Sequence, residues 1–115
     1  METKTYNGWT NYETWAVKLW IDNEEGSYRY WRDETLFTWK HAETAGTFSR
    51  SESARYALAN ALRTYYHAVQ PDLGGSVWGD LLGAALSEVD WPEIANSLLE
   101  DNEGYESEPE QAATD

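Results

Sequence analysis

Cysteine is absent from the chain, which removes disulfide frameworks, thiolate catalysis and cysteine-based zinc or iron–sulfur sites. Long apolar runs are absent too: nothing approaches the roughly 18 consecutive apolar residues that a membrane span needs. The opening residues Met1-Glu2-Thr3-Lys4-Thr5-Tyr6-Asn7-Gly8 hold no apolar core of the kind a secretory signal requires. A soluble intracellular domain is therefore expected, with no membrane contact. Cations are scarce, 8 against 21 acids, for a net charge of −13 over 115 residues. Phenylalanine and methionine are nearly missing, at two and one, whereas tryptophan and tyrosine reach seven and eight. So rich an aromatic content argues for a packed core rather than wholesale disorder.

The charge is unevenly spread. Residues 1–63 carry nine acids and eight bases, and residues 64–115 carry twelve acids and no base, because Arg63 is the last cation. A protein that grips nucleic acid neutralises phosphates with Lys and Arg, so direct nucleic-acid binding is not expected. Such a half-chain suits a basic protein partner instead, approached by long-range attraction. Asp72, Asp80, Glu88, Asp90, Glu93, Glu100, Asp101 and Glu103 form the expected acidic contact face. The competing reading assigns these acids to solubility alone.

Apolar spacing is helical throughout. Thr10 with Glu13 matches a capping box ahead of a helix at about 11–22, whose stripe Tyr12, Trp15, Ala16, Leu19 and Trp20 is expected to face the core. Gly26 suits a left-handed turn, and Ser27 is expected to cap a second helix at about 28–44 with Tyr28, Trp31, Thr35, Leu36 and Trp39 on one side. A third helix at about 52–69 carries Ala54, Leu58, Ala61, Leu62, Tyr65 and Val69 and stops before Pro71. A fourth spans about 76–88, weakened by Gly79 and Gly83, and a fifth begins at the Asp90 cap and runs to about 100. The expected fold is all-α: a bundle of four to five helices in one domain of residues 1–100, followed by a disordered acidic tail at 101–115.

No catalytic constellation stands out. His41 and Glu43 lie on different faces of a helix, so they do not chelate a metal together. Ser49, Ser51 and Ser53 cluster at a helix start without a nucleophile elbow. Gly74-Gly75-Ser76 precedes a helix as phosphate loops do, yet Asp72 and Asp80 flank it and no Lys or Arg follows. No metal, cofactor or enzymatic role is expected. Tyr28, Tyr30 and Tyr66 lie off or at the edges of the helical stripes, which marks them as aromatic anchors for a partner.

The segment Asn7-Gly8-Trp9-Thr10-Asn11-Tyr12-Glu13-Thr14-Trp15-Ala16-Val17-Lys18-Leu19-Trp20-Ile21-Asp22-Asn23 resembles the start of a family of small proteins encoded by phages, plasmids and other mobile elements. Val89-Asp90-Trp91-Pro92-Glu93-Ile94-Ala95 is similar to a second element of that family. The resemblance brings no catalytic residues; it implies a setting among accessory genes, where inhibitors of host defence are common. The expectation is therefore a binding protein that acts on a host nucleic-acid-handling defence complex, of the CRISPR or restriction type, by occupying a basic surface. A self-associating scaffold, dimeric through its aromatic face, is the alternative.

Overall fold

Side-chain caps open all five helices of the computed structural model, which describes residues 6–102. The Asn11 carboxamide oxygen accepts the Thr14 amide at 2.9 Å and starts α1 (Tyr12–Asn23). The Glu24 carboxylate accepts the Ser27 amide and starts α2 (Glu25–His41). Ser49 and Glu52 exchange side-chain and backbone bonds in a full capping box at α3 (Arg50–Val69). Ser76 caps α4 (Val77–Glu88), and Asp90 caps α5 (Trp91–Glu100) with Pro92 in its first turn. Each first turn holds one acid, Glu13, Glu25, Glu52, Asp80 and Glu93, where the positive end of the helix dipole favours it.

The expected all-α fold holds, with some local corrections. Asn11 rather than Thr10 caps α1, because its carboxamide reaches both the amide and the hydroxyl of Thr14. Gly26 is helical rather than a left-handed turn, since α2 starts directly after Glu24. The Ser27 hydroxyl does not cap; it donates to the carbonyls at the end of α1, Ile21 at 3.1 Å among them, and closes the junction. Left-handed backbone occurs instead at Asn7 and Gly8, where Tyr6 and Trp9 exchange amide–carbonyl bonds across a tight turn. The expected tail lies outside the described residues from 103 onward, and Glu103 with it.

The core is Ile21 of α1, Trp31 and Trp39 of α2, Ala54, Leu58, Ala59 and Leu62 of α3, and Val89 ahead of α5. Trp91, Ile94, Ala95, Leu98 and Leu99 of α5 complete it. α5 lies along α3 in the most extensive helix contact and also reaches α1 and α2, so the last helix is the central one. The Arg50 guanidinium lies 3.9 Å over the Trp39 ring and donates to the Trp39 carbonyl, fastening the start of α3 to the end of α2.

The buried face of α1 is not the expected one. Thr14, Lys18 and Ile21 point inward, while Tyr12, Leu19 and Trp20 are exposed. Polar atoms on the inward face all find partners. The Thr14 hydroxyl accepts from the Asp90 amide at 2.8 Å, and the Lys18 ammonium meets Asp22 at 2.7 Å and Asp101 at 3.4 Å. Satisfied in this way, the face can be buried without an orphaned donor.

Candidate partner-binding surface

The acids expected to form one contact face divide into two groups. Asp90 caps α5, Glu93 accepts the Thr10 amide at 3.2 Å, Asp101 pairs with Lys18, and Glu100 accepts from Asn96. All four carboxylates have a bond inside the protein. Asp72, Asp80 and Glu88 differ: among the described residues no cation pairs with any of them. Asp72 accepts only the nearby Gly74 amide, in the loop that leads into α4; Asp80 and Glu88 stand on α4 itself.

α4 is unlike the other helices, because none of its residues is buried. Val77, Trp78 and Leu81 are 61%, 66% and 56% exposed, with Leu73 also exposed just upstream. Leu82, Ala85 and Leu86 are half-buried, and Leu86 packs on the core. The helix leans on α1, where Asn11 donates to the Glu88 carbonyl at 2.7 Å. Trp78 is thus a functional candidate that helical spacing did not single out. Trp78 lies in the middle of an apolar arc, Val77 through Leu86, that spans about half the circumference at roughly 100° per residue, but in the first turn, ahead of the half-buried Leu82, Ala85 and Leu86. A single neighbouring helix does not cover so wide an arc.

The tyrosine anchors occupy other ground. Tyr28 and Tyr30 are exposed on α2, which packs against α1, α3 and α5. Tyr30 sets its ring edge-on to Trp31 at 4.9 Å and leans on Tyr65 at 5.6 Å. Desolvation, then Glu34 and Tyr65, holds its hydroxyl above the usual pKa. Tyr66 stacks against Trp31 at 6.3 Å and Trp91 at 5.8 Å, half-buried against the core. Burial raises its pKa as well, against the lowering effect of a bond with Trp31. The structure places Tyr66 in the packing and leaves Tyr28 and Tyr30 on a different helix from Asp80 and Glu88.

A shallow groove of about 670 Å³ lies elsewhere, lined by Phe48, Tyr56, Asn60, Arg63, Trp91 and Pro92. Phe48 and Tyr56 meet edge to face at 5.5 Å on its rim. Its cation, Arg63, gives it the wrong sign for a basic partner. His41 and His67 each bond a carbonyl one turn back, of Phe37 and Arg63, at 2.9 Å. Among the described residues no three His, Asp or Glu side chains gather as a metal site, and no helix is long and apolar enough to cross a membrane.

A family model of unknown function, DUF7249, matches residues 2–70. The chain belongs to that family. The DUF7249 match takes in the Asn7-Gly8 turn and α1 to α3, while α4 and α5 lie beyond it. No curated protein and no solved structure matches the chain.

Proposed function

We propose that this DUF7249 protein is a binding protein rather than an enzyme, and that it inhibits a nucleic-acid-handling defence complex of a bacterial host. In this reading it is encoded by a mobile element, works in the host cytoplasm, and occupies a basic surface of its target in place of nucleic acid. The observation that carries the reading is the segregation of charge. From residue 64 to residue 102 the chain has seven acids and no base, and Asp72, Asp80 and Glu88 meet no cation among the described residues. A free anionic surface attracts a basic partner over long range and weakens with salt. The resemblance of residues 7–23 to mobile-element proteins supplies the setting.

The test is a pull-down from bacterial lysate at low and high salt, read by mass spectrometry. A basic, nucleic-acid-binding defence protein is expected at low salt only, and its retention is expected to fail with the triple variant Asp72→Asn, Asp80→Asn and Glu88→Gln. Asp90 and Glu93 are left intact, because replacing a cap and the partner of Thr10 would confuse folding with binding. A complex unaffected by salt and by the triple variant would reject the electrostatic mechanism. The second reading, a self-associating scaffold, is favoured by the exposed Trp20 and Trp78; a dimer in sedimentation, with no other partner retained, would support it.

A further inference from the structure

We infer that the uncovered face of α4 seats a basic amphipathic helix of the partner. The inference rests on the proposed basic partner and names the place and the chemistry of contact. An exposed apolar cluster that the described residues leave uncovered, rimmed by charge, is the usual mark of a docking surface. Val77, Trp78 and Leu81 fall within one helical turn and are more than half exposed, and Leu73 extends the patch upstream. Trp78 has the size and shape of a hot-spot residue.

The surrounding charge decides the occupant. Glu88 lies on the Val77–Leu81 side of the helix, Asp80 borders Val77, and Asp72 precedes the patch, with no cation between residues 64 and 102. A second copy docking α4 against α4 would bring these carboxylates together without an offsetting charge. An anionic membrane would be repelled for the same reason. A helix that carries a leucine-type stripe flanked by Lys or Arg satisfies both features. Its apolar side chains cover Val77, Trp78 and Leu81, and its cations reach Asp72, Asp80 and Glu88. With α1 behind α4, the incoming helix becomes the third layer.

The probe is a synthetic Leu/Lys amphipathic peptide of about 18 residues, long enough to hold helix when bound, compared with a Leu/Glu peptide of the same apolar face. The full-length protein is titrated with each, and affinity is read by calorimetry at two salt concentrations. The Lys peptide is expected to bind and the Glu peptide is not. The deciding variant is Trp78→Glu, with Leu81→Glu as its companion. Each adds a negative charge while removing an apolar anchor, so docking on the face loses affinity about tenfold or more, whereas charge attraction alone gains it. Circular dichroism checks that both variants keep their helices, which their exposed positions favour. Equal or tighter binding by Trp78→Glu overturns the inference, as does a dimer of the unmodified chain that Trp78→Glu abolishes. In the lysate experiment, a basic defence complex retained equally by Trp78→Glu would leave the proposed function standing and reject this site. Loss of that complex with Trp78→Glu supports the site.

Discussion

The Thr14 hydroxyl accepts a hydrogen bond from the Asp90 amide at 2.8 Å, joining residues 76 positions apart in the chain. The same hydroxyl donates to the Asn11 carboxamide at 2.6 Å, and Asn11 in turn donates to the Glu88 carbonyl. With the Thr10 amide on Glu93, these bonds lock the start of α1 onto the start of α5. The two helix starts form one structural clasp. Thr14→Val, which keeps the shape and deletes the hydroxyl, is expected to cost about 1–3 kcal/mol by leaving the Asp90 amide unsatisfied. Thr14→Ser retains the bonds and is expected to lose less. Urea denaturation of the two variants checks the order.

Lys18 lies buried on α1 with Asp22 and Asp101 around its ammonium, and both carboxylates reach solvent. Asp22→Asn removes the nearer counter-charge and is expected to cost about 1 kcal/mol, less than a fully buried pair because water still reaches the site. Lys18→Met replaces the charge with an apolar chain of similar length and is expected to be the milder change. A chemical melt in which Lys18→Met proves the more damaging of the two would refute this account of the buried face.

Two glycines in α4 predict opposite outcomes. A Cβ at Gly79 would stand 2.6 Å from the Gly74 carbonyl oxygen, so Gly79→Ala must displace the loop that enters the helix. A Cβ at Gly83 meets nothing within 4 Å. Gly83→Ala is therefore expected to stabilise α4 by about 0.5–1 kcal/mol through helix propensity alone. Amide hydrogen exchange along Val77–Glu88 should slow in Gly83→Ala and quicken in Gly79→Ala.

Alkaline pH should loosen the fold through Tyr66. Burial raises its hydroxyl above the ordinary value of 10.0, so the folded protein keeps the proton that the unfolded chain gives up. The associated stability is complete below pH 10.0 and is lost as the pH climbs through the higher folded value. Thermal melts from about pH 8 to 11 should fall less steeply for Tyr66→Phe than for the unmodified protein.

Helix positions were largely legible because their signals are local. Asp90 followed by Trp91-Pro92 marks a helix start in any context, and Ala54, Leu58 and Leu62 repeat with the period of a buried face. The orientation of α1 was not legible. Both of its faces carry large side chains, and the aromatic one with Trp15, Leu19 and Trp20 is the more apolar. The choice of Thr14 and Lys18 for burial depends on Asp90 and Asp101, which lie 76 and 83 residues away. Local periodicity contains no trace of such partners. At the candidate site, the anionic character of Asp72, Asp80 and Glu88 could be read directly, whereas the internal duties of Asp90 and Glu93 required the turn of chain at Thr10–Thr14. Trp78 escaped notice because an apolar arc announces that it is covered, not by which molecule.

The central position of α5 fixes the order in which this chain can become a protein. Its five buried side chains lie against α1, α2 and α3, yet the ribosome makes them after all three. A nascent chain that has completed only Arg50–Val69 holds Trp31, Leu58 and Leu62 without α5, which packs most extensively on α3, and the clasp at Thr14 still waits for Asp90. Contacts that close so late delay collapse until α5 has been made. Emerging tryptophan-rich helices must therefore stay soluble by other means, and the carboxylates in their first turns are among the charges already in place by then.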